Sequence, residues 1–600
     1  MNMEIKKEAA VSCYAFPADS NDFEDIISNG MVYIDKTSCL ESLLNSGSMV
    51  PMILRPRKFG KTLFMSMLSC FLEMNYRHPE DRSRPKRLFK DLAISKNKAF
   101  SNKYMGRYPV ISLSFKDLDG ETFQDAVKAL IRVFAALSDK FDFLTRRDDL
   151  DTVFLRRIRD LNTGKAHVFG SDGNFDGINN NLVLDFLANL ARCLNKACNK
   201  NPVIIIDDWD EPLQKAAARG YYPRMAAFIQ SILSVTLKDN SDIFKGFLTG
   251  VHHIPSQSIY SGFNNYDKCD IFDTVYSDFI GFTKDETGDL LKRLSLENRI
   301  PDVIEWYGGY NFAGADMVCP WSVIKFLEQA FRPGNNPAAF PPENFLINSG
   351  AGDIIESSIR QSRGYNSDRI QELLEGNTAE IAHREFTSYP EISKVADFAT
   401  LAALMLHSGY LTAAKDVIPS DEYKTAVKIP NREVWDSFAR KADFLFSSRN
   451  PEWAEMSQNL RDSLFNGDAE KVSEIMNTML QDFISAQDSG SAFHKSFMIR
   501  ALGITAGFSD NNLEADSGNG NGCFYLVIKN KGRGIAVIMN CKTGGSMRLS
   551  LRKQECLKAL KEIAENGYDR EIRKDYGTVR EFGIVFGRKY CNVMGGSTSD

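Results

Sequence analysis

The stretch MVPMILRPRKFGKTLFMSMLSCFLEM, residues 49 to 74, constrains this chain more than any other. Met49 to Leu54 is an apolar, strand-like segment. A cationic turn ending in Gly60-Lys61-Thr62 follows, and then Leu63, Phe64, Met67, Leu68, Phe71 and Leu72 recur on one face of a helix. Strand, Gly-Lys-Thr and helix in that order make the layout of a phosphate-binding loop. Backbone N–H groups at the start of a helix are left without intrahelical acceptors, a lysine reaches the outer phosphates, and a hydroxyl stands ready for Mg²⁺. In the usual G-x-x-x-x-G-K-[ST] spacing a glycine stands where this chain has Arg55. Gly60, Lys61 and Thr62 are the expected phosphate contacts, and Arg55, Arg57 and Lys58 ring the loop, either adding charge for the phosphates or reaching a partner.

Such a loop needs a downstream acid at the end of a buried strand, because Mg²⁺ on a polyphosphate also requires carboxylate support. NPVIIIDDWDEP, residues 201 to 212, supplies it: Val203 to Ile206 is fully apolar and ends in acids. Asp207 is expected to hold the metal through water, with Asp208 or Asp210 polarising an attacking water. Asp208 is one methylene shorter than the glutamate common at its position, and about 1 Å of misplacement costs on the order of 10²-fold in rate, so slow turnover is expected. Thr249, at the end of a further strand, is placed to meet the γ-phosphate or its water. His252 and His253 are adjacent and point apart on extended backbone, which disfavours a shared metal.

The remaining pattern alternates. Short strands at Met31 to Ile34, Tyr108 to Phe115, Val203 to Ile206 and Ile243 to Gly250 are separated by helices, so residues 26–290 read as a doubly wound α/β domain. Residues 1–25 form a polar lead-in, and residues 139 to 176 a charged, weakly periodic insertion that reads as a solvated helical face. From 291 to 480 helices predominate around Pro- and Gly-rich loops. From 481 to 600 a second α/β pattern appears, with strands CFYLVIKN, IAVIMNCK and FGIVF around a helix at Leu551 to Glu565. A net charge of −5 excludes a chain-wide basic field for nucleic acid or anionic membrane. The 11 cysteines lack a C-x-x-C pair, which disfavours a disulfide framework and structural zinc. With neither a secretory leader nor an apolar run long enough to span a bilayer, a cytoplasmic location without membrane contact is expected.

Short blocks then align with a known family. YIDKT (33–37), RPRKFGKT (55–62), IIIDDWDEP (204–212), LTGVHHI (248–254), SGFNN (261–265), GFT (281–283), EWYGGYNF (305–312), PWS (320–322), INSG (347–350), SGYLT (408–412) and IPNREV (429–434) occur in the order found in AAA-ATPase-like proteins. Those proteins join an unusual P-loop domain to a C-terminal restriction-endonuclease-like domain of the PD-(D/E)xK class, and this chain resembles them over nearly its whole length. The resemblance implies that R-P-R-[RK]-F-G-K-[ST] is the family's own loop, so Arg55 is a family feature, and it lends Lys61, Thr62 and Asp207 their ATP and Mg²⁺ roles. The family reads Asp-Glu-Tyr-Asp where this chain has Asp207-Asp208-Trp209-Asp210, a basic residue at His253 and Asn at Cys319. Aligned on the family's E-S-G-x-G-R-x-D, the C-terminal domain carries DSGNGNGC, which puts Cys523 at one metal-binding acid. Asn540 stands at the second, and only Lys542 survives; Asp516 is the acid that could in principle substitute. A hard cation binds poorly without either carboxylate, so DNA cleavage is expected to be lost.

Three readings follow. The first is an ATP-binding protein, a weak ATPase or nucleotide-dependent switch, whose inactive nuclease-like domain binds nucleic acid or a protein partner. The second is an ATP-gated, Mg²⁺-dependent nuclease, which needs an acid not found in the sequence. The third is a non-enzymatic interaction protein. The sequence leaves oligomeric state and biological process open.

Overall fold

The computed structural model describes residues 14–167, 169, 177–253, 263, 265–346, 365–374, 376–382, 398–415, 417, 424–438, 451–483, 494, 497–498, 501–502, 511–516, 523–530, 532–543, 549–565, 567–587 and 590–596. The chain divides into two compact units, Met1–Ala351 with Thr378–Val434, and Gly352–Asn377 with Trp435–Asp600.

The first unit is built on five strands, β1 (Pro51–Leu54), β2 (Val110–Ser114), β3 (Val203–Asp207), β4 (Lys245–Gly250) and β5 (Asp267–Cys269). Their spatial order is β2-β3-β4-β1-β5 and every pairing is parallel. Residues of β1, β3 and β4 are buried throughout, which explains the apolar runs PMIL and VIII of the first two: a parallel strand covered on both faces has no solvent side. Helices α1 (Lys61–Leu72), α2 (Phe123–Lys140), α3 (Phe186–Cys198) and α4 (Tyr222–Leu237) supply the crossovers. The Thr122 hydroxyl caps α2 by accepting from the Asp125 amide, and Asn199 ends α3 in a left-handed conformation. Phe134 of α2 stacks on Phe186 of α3 with ring centroids 4.4 Å apart.

Strand β4 lies between β1 and β3, with Ile53 opposite Thr249, Leu54 opposite Gly250, and Ile206 opposite Leu248. The carboxyl ends of the three strands therefore come level. The cationic loop, Thr249 and Asp207 share one sheet edge, where open parallel sheets form their ligand crevices.

Several expectations change. Met31 to Ile34 is not a strand; the segment runs irregularly, with the Val32 amide donating to Ala15. The lead-in is folded from Tyr14 onward, because Phe16 packs on Phe331 and Phe23 is fully buried. The charged insertion contains a helix, Val153–Asn162, that buries Phe154, Leu155, Ile158 and Leu161. The middle region is not purely helical. It holds a small antiparallel sheet of β6 (Phe282–Thr283), β7 (Tyr310–Phe312) and β8 (Ala315–Val318), followed by α5 (Pro320–Ala330). A second sheet of β9 (Ala379–Ala382), β10 (Thr412–Ala413) and β11 (Lys424–Lys428) flanks α6 (Phe398–Ser408). These strands are too short for a periodic signal to stand out in sequence.

The second unit carries β12 (Asn511–Asp516), β13 (Cys523–Asn530), β14 (Ile535–Thr543), β15 (Thr578–Phe586) and β16 (Cys591–Gly596), adjacent in that order. Only β14 and β15 are parallel, joined through helix α7 (Leu549–Glu565). Helices Pro451–Asn466 and Ala469–Phe483, assigned from sequence to the middle region, belong here. Their Leu460, Leu464, Met476 and Leu480 join one core with Leu526, Met539 and Phe582 of the sheet. Strand β16 was not anticipated.

One contact ties the crevice to the sheet. Arg55, directly after β1, is fully buried, and its guanidinium donates to the carbonyls of Leu54 (2.7 Å), Cys269 (3.1 Å) and Tyr276 (2.6 Å). Burial pushes its pKa down to about 10, against the opposing pull of Cys269, Asp270, Asp273 and Asp278. Arg55 thus faces the end of β5 and the loop after it. Arg55→Met keeps the volume and orphans these carbonyls, so it is expected to destabilise the first unit by about 3 kcal/mol, measured by urea unfolding.

Candidate functional site

Gly60, at φ +92°, makes the left-handed turn into α1. No intrahelical acceptor exists for the first amides of that helix, and its first backbone bond runs from Phe64 to the Gly60 carbonyl. Lys61 is buried, and its Nζ donates to the carbonyls of Arg55 and Pro56, at 3.1 Å each, so the ammonium bridges the loop from inside. Arg57 turns to Gln214, its guanidinium 2.8 Å from the amide oxygen. Lys58 sits at φ +69°, uncommon for a residue with a side chain, and its ammonium lies 4.2 Å from the ring centroid of Trp321.

The acids divide sharply. Asp207 accepts from the hydroxyl of Thr62 at 2.6 Å and from that of Thr249, so loop, β3 and β4 meet on one carboxylate. Asp208, at φ +51°, lines the crevice. Burial, reinforced by Asp207, Asp210 and Glu211 and opposed by Lys61, raises its carboxyl from 3.8 to about 7. Asp210, the alternative acid in the sequence, turns away from the crevice. Its carboxylate accepts from the amides of Val251 and His252 and faces His252 Nδ1 at 3.4 Å. Burial would raise the Asp210 carboxyl, but the bonds and charge of His252 hold it below the ordinary range. Gly250 is required here, because a Cβ would stand 2.5 Å from Asp210 Oδ1. His252 and His253 diverge as expected, toward Ser408 (3.1 Å) and Tyr266 (3.0 Å).

A cavity of about 450 Å³ opens over the loop, and Arg57, Lys58, Gly60, Lys61, Thr62 and Asp208 are among its lining residues. Apolar side chains, among them Pro17, Val32, Ile34, Ile280, Trp321 and Ile324, share the lining with the polar and charged Asp19, Asn21, Lys36, Lys116 and Glu211. A lining that joins cations to apolar side chains suits an anion carrying a flat apolar group. Thr62 and Asp207 offer hard oxygen ligands beside it, the donor type Mg²⁺ takes. Among the described residues no three His, Cys, Asp or Glu gather as a metal cluster. Sequence reasoning assigned no role to Trp321 or to residues 17 to 34 in this wall. The blocks YIDKT and PWS were the available signal.

In the second unit, Cys523 stands opposite Lys542 and Tyr525 opposite Asn540 in the β13–β14 register. The side chain of Cys523 lies outside the described residues, as does that of Asp516. Asn540 is fully buried and its amide nitrogen donates to Tyr525, to the Ala559 carbonyl and, at 3.2 Å, to Glu562. Glu562, on α7, also accepts from Lys542 at 2.6 Å. No reading of the sequence included this carboxylate, because it lies 20 residues beyond Lys542 and reaches it only through helix packing.

The pH response of Asp208 follows from its position. Between pH about 4 and 7 the unfolded chain ionises at Asp208 while the folded chain holds its proton, so this residue costs stability increasingly across that window and fully above it. Asp208→Asn is therefore expected to raise the melting temperature at pH 8 and to leave it unchanged near pH 4, by thermal unfolding across pH.

Residues 17–260 match the family described as predicted AAA-ATPase. A protein of Azotobacter chroococcum mcd 1, described as an uncharacterized protein in vnfD 5'region, is 23% identical over 409 residues, or 67% of this chain. The chain spans 64% of that relative's length. Loop, parallel sheet and family match agree: over residues 17–260 this chain is similar to the predicted AAA-ATPases, which supports nucleotide binding through a P-loop.

Proposed function

We propose that the first unit binds Mg-ATP in the crevice and acts as a weak ATPase or nucleotide-dependent switch. The observation that carries this reading is the 2.6 Å bond between Thr62 and Asp207 beside Lys61, next to a cavity lined by both cationic and apolar side chains. Lys61 exchanges its two backbone carbonyls for phosphate oxygens, Thr62 and Asp207 hold the metal, and the apolar wall takes the base. ATP and Mg²⁺ bring the phosphoanhydride and the charge that neutralises it. Asp208 is the group placed to take a proton from an attacking water. Its side chain is one methylene shorter than the glutamate common at this position, which favours slow turnover, while a carboxyl raised to about 7 suits a general base at neutral pH.

The second unit, on this reading, keeps a nuclease-like fold and binds nucleic acid or a protein partner without cutting. Asn540 has no charge for a cation, and Lys542 is neutralised by Glu562. One observation favours the alternative of an active Mg²⁺-dependent nuclease: Glu562 is an acid beside Lys542, supplied by a helix. A cytoplasmic location is part of the proposal. Among the described residues no helix is long and apolar enough to cross a membrane.

Mg-ATP is expected to raise the melting temperature of the wild-type chain by several degrees and that of Lys61→Ala by less than one degree, order-of-magnitude figures for ligand-linked stabilisation. Absence of a wild-type shift overturns the reading. Asp208→Glu is expected to speed phosphate release roughly tenfold or more, and equal rates would remove Asp208 from the chemistry. Plasmid nicking in Mg²⁺ or Mn²⁺ that disappears in Glu562→Gln would establish the nuclease alternative; no nicking is expected.

A further inference from the structure

The phosphate loop is pinned at both ends. Arg55 is anchored by three carbonyls, and Phe59 is buried against Tyr310 and Phe312 with ring centroids 4.9 and 5.1 Å away. Between these anchors Lys58 is half-buried with a left-handed backbone, and its ammonium rests over the ring of Trp321, the second residue of α5. Both residues line the same cavity. The Lys58 carbonyl also faces the thiol of Cys319 at 3.8 Å, so loop and helix start are in contact through main chain as well.

We propose that Lys58 and Trp321 form a nucleotide-responsive latch, in which the ammonium rests on the indole until a nucleoside triphosphate enters the crevice and then transfers to phosphate oxygens. The inference rests on the nucleotide-binding reading of the same crevice. Magnitudes set the direction. A cation on an aromatic face gains about 0.5–2 kcal/mol. A single opposite charge at 4 Å gains about 4 kcal/mol at an effective dielectric of 20, and a triphosphate offers several such charges. Burial also holds the pKa of Lys58 below its usual value, so an approaching anion restores what desolvation removes.

Release of Trp321 reaches beyond the loop. Ser322, the next residue of α5, donates to buried Glu433 at 2.8 Å, and Glu433 accepts from the Phe345 amide at 2.9 Å. The start of α5 is therefore tied to two segments distant in sequence, and a change at Trp321 is passed to them through that carboxylate.

The test is tryptophan emission of the full chain with and without Mg-ATP, alongside calorimetric titration of the same samples. The chain has 5 tryptophans, so the Trp321 component is taken as wild type minus Trp321→Phe. Wild type is expected to show a shift in that component at the calorimetric midpoint. Lys58→Met is expected to bind about tenfold more weakly, a difference of about 1.4 kcal/mol, and to show no shift, whereas Lys58→Arg retains it. Calorimetric binding with an unchanged Trp321 component, or a shift that survives in Lys58→Met, overturns the latch and leaves nucleotide binding standing. No wild-type binding heat and no thermal shift overturn both.

Discussion

A buried guanidinium holds the crevice in place. Arg55 leaves β1 where the usual phosphate loop has a glycine, and instead of facing the ligand it fastens β1 to the end of β5 and the following loop. A charge without solvent persists only when hydrogen bonds compensate it, which makes the position of the loop dependent on those carbonyls. Lys61 then bridges the carbonyls of Arg55 and Pro56 from the opposite side. Two cations brace one short loop, from which Arg57 reaches Gln214 and Lys58 reaches Trp321.

The three aspartates after β3 illustrate how environment separates chemically equal groups. Asp207 is fixed by two hydroxyls, Asp210 by two amides and a histidine, and Asp208 alone lines the cavity. The burial that makes Asp208 costly when ionised is the same burial that raises its carboxyl to about 7.

In the second unit the sheet and helix α7 enclose a polar cluster of Tyr525, Asn540, Lys542 and Glu562. Its hydrogen bonds satisfy a fully buried amide nitrogen and a lysine, which is a structural task whatever else the cluster does. The helices Pro451–Asn466 and Ala469–Phe483 complete the core under that sheet and so move the boundary of the unit well ahead of residue 481.

The amino-acid sequence alone determined the strand–loop–helix at 49–74 and the apolar strand ending in Asp207, because local periodicity and glycine punctuation encode them directly. It also showed that Asn540 is uncharged. Only the tertiary structure decided which aspartate lines the cavity, since Asp208 and Asp210 differ by how the chain turns after β3 and by contacts with β4, 40 residues away. The role of Arg55 was likewise invisible, because its acceptors lie on β5 and beyond, and backbone carbonyls leave no mark in a sequence. Trp321 and Glu562 reach their partners through helix packing, a long-range arrangement that no local pattern specifies.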